Sequence, residues 1–185
     1  MTTASTFILA GALRDDRRVE SWIVDHRVSW LNWLFEELSR IGAYGLVWLA
    51  IALAFALLKR RASIFVLVLA ADAIADLLQA LLKGAIPRAR PHVSHLIALP
   101  HSHSFPSGHA ATSFACATVL AALIPRWRIA FFVLAAAIAY SRLYNGVHYP
   151  LDVLGGAVLG VLVGITALRL PAARRRGSRR GLRTG

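Results

Sequence analysis

A single cysteine, Cys116, stands in the sequence, so no disulfide can close within the chain and no cysteine-rich metal site can form. Acid is scarce as well: nine Asp and Glu face 21 Lys and Arg, a formal charge of +12. Lysine is nearly missing from that basic set, with Lys59 and Lys83 its two members. Charged residues of both signs make up 16% of the chain against 57% hydrophobic, and mean hydropathy is +0.59, which argues against a soluble globule. The excess of base raises nucleic acid as a partner, and the tail "ARRRGSRRGLRTG" is its best support. That tail directly follows an apolar run, where basic residues set membrane orientation and meet anionic headgroups, so no nucleic-acid partner is expected.

Apolar runs are what the sequence has in quantity. They cover Leu46 to Leu58, extended back through Gly42; Ser63 to Leu82; Ser107 to Ile124; Ile129 to Tyr140, extended at both ends; and Leu151 to Leu168. Runs of about 17–23 residues cross a hydrocarbon core of roughly 30 Å at 1.5 Å per helical residue. The pattern predicts an all-α, polytopic membrane helical bundle of five to six transmembrane helices, its membrane domain covering residues 42–170. Lys59, Arg60 and Arg61, then Arg126 and Arg128, then Arg169 and the tail arginines fall on one side if five crossings alternate. The positive-inside rule makes that side the cytoplasm, with the C-terminus there and loop 84–106 and turn 141–150 outside. A multi-pass protein of the cell membrane is expected, ending in a disordered basic tail over residues 171–185.

The N-terminal segment, residues 1–18, includes "TFILAGAL", too short to span and without the charged start and cleavage site of a signal peptide. Residues 19–41 carry Trp22, Trp30, Trp33, Leu34 and Leu38 among Glu20, Asp25, Arg27, Glu36, Glu37 and Arg40. This pattern predicts one amphipathic helix lying on the outer membrane surface, with a sixth crossing as the alternative.

Ionisable groups at membrane depth are costly and each needs a use. Lys83, Arg88 and Arg90 follow the second span, Ser107 and His109 open the third, Ser141 and Arg142 end the fourth, and His148 and Asp152 open the fifth. All lie at the predicted outer face, and four cations with two histidines at one depth imply an anionic ligand. In "FPSGH", Ser107 is a natural N-cap, and the free amides of Gly108 and His109 at a positive helix end form an oxyanion cradle. Arg90 and Arg142 offer planar forks to phosphoryl oxygens, and Lys83 a point charge. Pro150 suits a first helical turn, which sets Asp152 where it can take one imidazole proton of His148 and leave the other nitrogen free as base or nucleophile. His109, at a different helix start, is placed to give a proton to a leaving oxygen.

These residues fall in three stretches, "KGAIPRARP", "PSGH" and "SRLYNGVHYPLD", and with them the sequence resembles the type 2 phosphatidic acid phosphatase family, membrane relatives of the vanadium haloperoxidases. The resemblance implies that His148 attacks phosphorus and becomes a phosphohistidine, that Asp152 orients it, and that His109 protonates the leaving group and then activates water. It implies that Lys83, Arg90, Ser107, Gly108 and Arg142 hold the phosphoryl oxygens, with Arg88 an auxiliary contact, and that neither metal nor other cofactor is needed. The implied substrate is a phosphomonoester or diphosphate of a membrane lipid. A polyprenyl diphosphate such as undecaprenyl diphosphate ranks first, because an outward site in a small, arginine-rich, bacterial-looking chain suits carrier recycling. Phosphatidylglycerophosphate, phosphatidic acid and phosphorylated decaprenyl-phosphoryl ribose are the rivals, and a non-hydrolytic lipid or anion transporter is the reading from a different class.

Three features take plainer readings. Asp72, Asp76, Gln79 and Lys83 share one helix face, a polar stripe that pairs with an arginine or supports Lys83. His92, His95, His101 and His103 crowd the outer loop without a firm zinc spacing and are expected to line the entrance. Gly156, Gly160 and Gly164 make a small-residue ridge for packing inside the bundle, with a homodimer contact as the alternative.

Overall fold

In the computed structural model the described residues are 3–169, with side chains from residue 11 onward; the predicted tail, residues 171–185, lies outside them. Seven α-helices follow one another: α1 Thr3–Asp25, α2 Ser29–Ile41, α3 Leu46–Leu58, α4 Ala62–Ala85, α5 Gly108–Leu123, α6 Arg128–Tyr144 and α7 Pro150–Ala167. Short 3-10 turns, Ala43–Gly45 and Pro125–Trp127, lead into α3 and α6.

Helix α5 is the axis of the bundle. Its side chains are small, and Ala110, Ala111, Ser113, Ala115, Cys116 and Ala117 are all buried, so α4, α6 and α7 approach it closely. The glycine ridge of α7 is the closest approach. A Cβ on Gly160 would overlap the carbonyl oxygen of Ala111 and lie 2.9 Å from the amide of Ala115, and one on Gly164 would lie 2.6 Å from Thr118 Cβ. The ridge therefore packs within the bundle. Two residues round the same helix, Leu154, Val158 and Leu162 are about 60% exposed, and α4 shows Leu77 and Leu81 likewise. Rows of exposed leucine and valine beside a sealed small-residue core are what a lipid solvent selects. Trp48 of α3 is wholly buried and donates its indole N–H to Ser113 Oγ at 3.0 Å, tying α3 to the axis.

Three units are long and apolar enough to cross a membrane: Ala62–Ala85, Pro125–Tyr144 and Pro150–Ala167. The pair Ser29–Ile41 and Ala43–Leu58, bent by 62°, makes a fourth if the two helices count as one span. Helix α5, at 16 residues, is apolar but shorter, because it starts inside the bundle at the wholly buried Ser107 rather than at the surface. The protein is a membrane helix bundle.

The N-terminal region differs from the single helix predicted over residues 19–41. Helix α1 starts at Thr3 and the chain breaks at His26–Val28, where Val28 is extended at φ −108°, ψ 118°. Tertiary bonds make the break. Arg27 Nε donates to the carbonyl of Tyr144 at 2.6 Å and Nη1 to that of Ser94 at 2.9 Å, while Val28 N–H donates to the Tyr144 hydroxyl at 3.0 Å. Amphipathic periodicity does not register such long-range partners. Trp30 and Trp33 remain exposed on α2, as an interfacial helix requires.

Candidate active site

One cavity of about 400 Å³ gathers Lys83 from α4, Arg90 from the following loop, Gly108 and His109 from the start of α5, Arg142 from the end of α6 and His148 from the α6–α7 turn. Helix polarity explains the meeting: α4 and α6 end, and α5 and α7 begin, at the same end of the bundle. At the opposite end Lys59, Arg61 and Arg126 line a common cavity of about 270 Å³.

The guanidinium of Arg90 is held rigidly. Nε donates to the Ser102 carbonyl at 2.9 Å and Nη1 to that of Val147 at 2.7 Å. Nη1 also lies 3.3 Å from His148 Nε2, which must then be the accepting, unprotonated nitrogen. His148 Nδ1 faces Asp152 Oδ2 at 3.5 Å, an ion-pair separation rather than a made hydrogen bond. The same Oδ2 accepts the Tyr149 N–H at 2.9 Å, so the carboxylate caps its own helix while facing the imidazole. Burial first, then Arg142 and Arg90, lower the His148 pKa to about 3 against the opposing pull of Asp152, so the ring is neutral at ordinary pH. The arrangement can present a neutral, oriented imidazole nitrogen to an electrophile among cations.

His109 Nε2 donates to the carbonyl of Ser39 at 3.0 Å, leaving Nδ1 for exchange with a ligand. Arg142, 4% exposed, donates through Nη1 to Ser39 Oγ, while its Nε is buried without a partner among the described residues. Lys83 Nζ donates to the His103 carbonyl at 2.9 Å. Gly108 packs on Gln79, whose amide would lie 3.1 Å from an added Cβ. Three cations and a helix start therefore share one cavity, whose lining also includes Asp72, Asp76 and Gln79.

Two expected phosphate contacts do not line the cavity. Arg88 turns away from the cavity: Nη1 binds Asp152 Oδ1 at 2.6 Å, Nη2 binds Asp16, and the guanidinium lies 4.3 Å from the Tyr149 ring centroid. Two carboxylates outbid an open cavity for that charge, and they hold its pKa above the ordinary arginine value despite burial. Ser107 sits at the N-cap of α5 but makes no capping bond; its Oγ is buried without a partner among the described residues, and its N–H donates to the Asp152 carbonyl at 2.9 Å. That backbone bond joins the two motif stretches. Among the described residues the Asp72–Gln79 stripe pairs with no arginine; Gln79 Nε2 donates to Asp76 Oδ1 at 2.9 Å, and Cys116 Sγ lies 3.7 Å from Asp72. Of the loop histidines, His103 Nδ1 donates to the Lys83 carbonyl at 2.7 Å, and no group of three or more metal-ligating side chains forms among the described residues.

Sequence reasoning did not single out Ser39, which orients both His109 and Arg142, or Asp16, which binds Arg88. A serine or aspartate on an amphipathic helix carries no local signal of a partner some 70 or more residues away. Glu20 is wholly buried one turn from Asp16, and burial above all, against the pull of Arg27, raises its pKa to about 8. The unfolded residue ionises near 4.5, so between those values the folded chain holds the extra proton and stability falls as pH rises. Thermal melts in detergent are expected to decline from pH 5 to 8 in the wild type, by at most about 1.4 kcal/mol per pH unit. In Glu20→Gln that decline flattens.

The profile of the PAP2 superfamily matches residues 61–176. The undecaprenyl-diphosphatase of Sulfolobus acidocaldarius is 30% identical over 151 residues, covering 78% of this chain and 73% of that protein. The decaprenylphosphoryl-5-phosphoribose phosphatase of Mycobacterium tuberculosis is 33% identical over 149 residues, covering 77% and 82%. Among solved structures, LpxE of Aquifex aeolicus superposes with a TM-score of 0.72 at 31% identity, over 83% of this chain and 94% of that one.

Proposed function

The chain belongs to the PAP2 superfamily, and we propose on that premise that it is a membrane lipid phosphatase acting through a phosphohistidine. The carrying observation is His148 Nε2, an unprotonated nitrogen 3.3 Å from the Arg90 guanidinium in a cavity shared with Lys83, Arg142 and His109. Nε2 attacks phosphorus; the P–N bond forms as the bond to the leaving oxygen breaks. Lys83, Arg90, Arg142 and the first amides of α5 take up the charge on the phosphoryl oxygens. His109, with Nε2–H held by Ser39, takes a proton from solvent on Nδ1 as the anionic phosphate fills the cavity, and gives that proton to the leaving oxygen. The same nitrogen then draws a proton from water, which cleaves the P–N bond and frees phosphate and His148. Positive charge comes from side chains throughout, so turnover proceeds without added metal. The cationic end of the bundle opposite the cavity is the cytoplasmic one by the positive-inside rule, which sets the site at the outer face and the C-terminus inside.

The substrate reading is a polyprenyl diphosphate such as undecaprenyl diphosphate, supported by the diphosphatase relative. A second reading, a phosphomonoester on a hydroxyl-bearing headgroup, is favoured by Asp72 and Asp76, carboxylates that repel a further phosphate beside them and accept hydroxyl donors. Phosphate release by purified protein in detergent with chelator separates them. Undecaprenyl diphosphate is expected to give the highest kcat/KM in a panel with phosphatidylglycerophosphate, phosphatidic acid and phosphorylated decaprenyl-phosphoryl ribose. A monoester ahead by about tenfold selects the second reading, and binding without release from any of the four marks a carrier instead.

A further inference from the structure

Helix α1 places two acidic side chains, Asp16 and Glu20, one turn apart and buried against the ends of α6 and α7 that carry the site. Its neighbour Asp15 is 72% exposed and, among the described residues, reaches only Arg18. Asp16 has two partners. Oδ1 accepts the Leu151 N–H at 2.8 Å, and Oδ2 binds Arg88. Leu151 is the second residue of α7, so its amide has no acceptor inside the helix. Asp16 supplies one from 135 residues away. A run of contacts thus joins α1 to the proposed nucleophile: Asp16 to Arg88, Arg88 Nη1 to Asp152 Oδ1 at 2.6 Å, and Asp152 Oδ2 to His148 Nδ1 at 3.5 Å.

The charges along this run decide what Asp16 does. Arg88 alone would neutralise Asp152 and weaken its hold on an imidazole that becomes positive as Nε2 bonds to phosphorus. With Asp16 sharing Arg88, the three groups keep one net negative charge beside His148, opposing the positive charges of Arg90 and Arg142 across the ring. The cap on Leu151 fixes the first turn of α7, and with it the height of Asp152. Resting on the reading of His148 as nucleophile, we infer that Asp16 is a positioning residue: it sets the place and the effective charge of Asp152, which makes α1 a working part of the active site.

Asp16→Asn and Asp16→Ala separate the two contributions, since asparagine keeps an acceptor for Leu151 and loses the charge on Arg88. Phosphate release from undecaprenyl diphosphate and phosphatidylglycerophosphate is measured on the full chain in detergent, beside thermal melts and the exposed control Asp15→Asn. Asp16→Asn is expected to lower kcat by about tenfold with KM within about threefold, and to move the acid limb of the kcat/KM profile to lower pH, because His148 becomes less basic. Asp16→Ala falls further, Asp16→Glu recovers part of the loss, and Asp15→Asn matches the wild type. Wild-type kcat and acid limb in Asp16→Asn overturn the inference alone. So does a loss that tracks the folded fraction, with kcat per folded molecule unchanged. Absence of release by the wild type overturns the phosphatase reading and this inference with it.

Discussion

Phosphate release falls by about 10³-fold or more in His148→Ala, while lipid phosphate still binds within about threefold of the wild type. The two halves of this expectation come from different atoms. Turnover needs Nε2, the unprotonated nitrogen that faces Arg90, and no other neutral nitrogen in the cavity is both oriented by a carboxylate and set beside a guanidinium. Binding needs the cations, and these are anchored without His148: Arg90 by the carbonyls of Ser102 and Val147, Lys83 by that of His103, and Arg142 by Ser39. Alanine therefore removes the attacking atom and leaves the cradle standing. Parallel measurement of release and equilibrium binding in detergent checks both halves, and unaltered turnover would remove His148 from the mechanism.

Gly160→Leu is expected to yield no folded protein, and Gly160→Ala to cost about 1–3 kcal/mol in a thermal or denaturant melt. A Cβ at this position meets the Ala111 carbonyl and the Ala115 amide, both backbone, so no rotamer change makes room. Helices α5 and α7 must move apart. That separation also breaks the Ser107 N–H to Asp152 carbonyl bond at 2.9 Å, which joins the start of α5 to the start of α7 at the site. Turnover of Gly160→Ala should fall with its stability. Gly84→Ala, where nothing lies within 4 Å of the added carbon, serves as the control and should melt within about 0.5 kcal/mol of the wild type. Equal stability of Gly160→Ala and Gly84→Ala would mean that the two helices do not pack on this ridge.

The parts of this architecture that sequence exposes are those with a local signature. The apolar runs mark α3 to α7, because lipid demands them residue by residue. The Gly156, Gly160 and Gly164 ridge shows as a four-residue period. Lys83, Arg90, Gly108, His109, Arg142 and His148 stand out as polar residues at apolar helix ends, and the structure brings all six into one cavity. What stayed hidden depends on distant partners. Arg88 reads as one more cation for phosphate, and only the approach of Asp16 from α1 shows where its charge is spent. Ser107 reads as a capping hydroxyl, yet it makes no capping bond, and its backbone amide donates to the Asp152 carbonyl. The break at His26–Val28 follows from Tyr144 on α6, 116 residues away from Val28, which no hydrophobic period encodes.

The most direct measurement is a single turnover with lipid bearing ³²P in the reacting phosphate, in chelator, quenched in alkali to preserve a P–N bond. The expected course takes label from lipid to protein and then to free phosphate, with the protein-bound label on the peptide that holds His148 and none bound to His148→Ala. Label passing from lipid to free phosphate without appearing on the protein, at a rate His148→Ala retains, would contradict the mechanism.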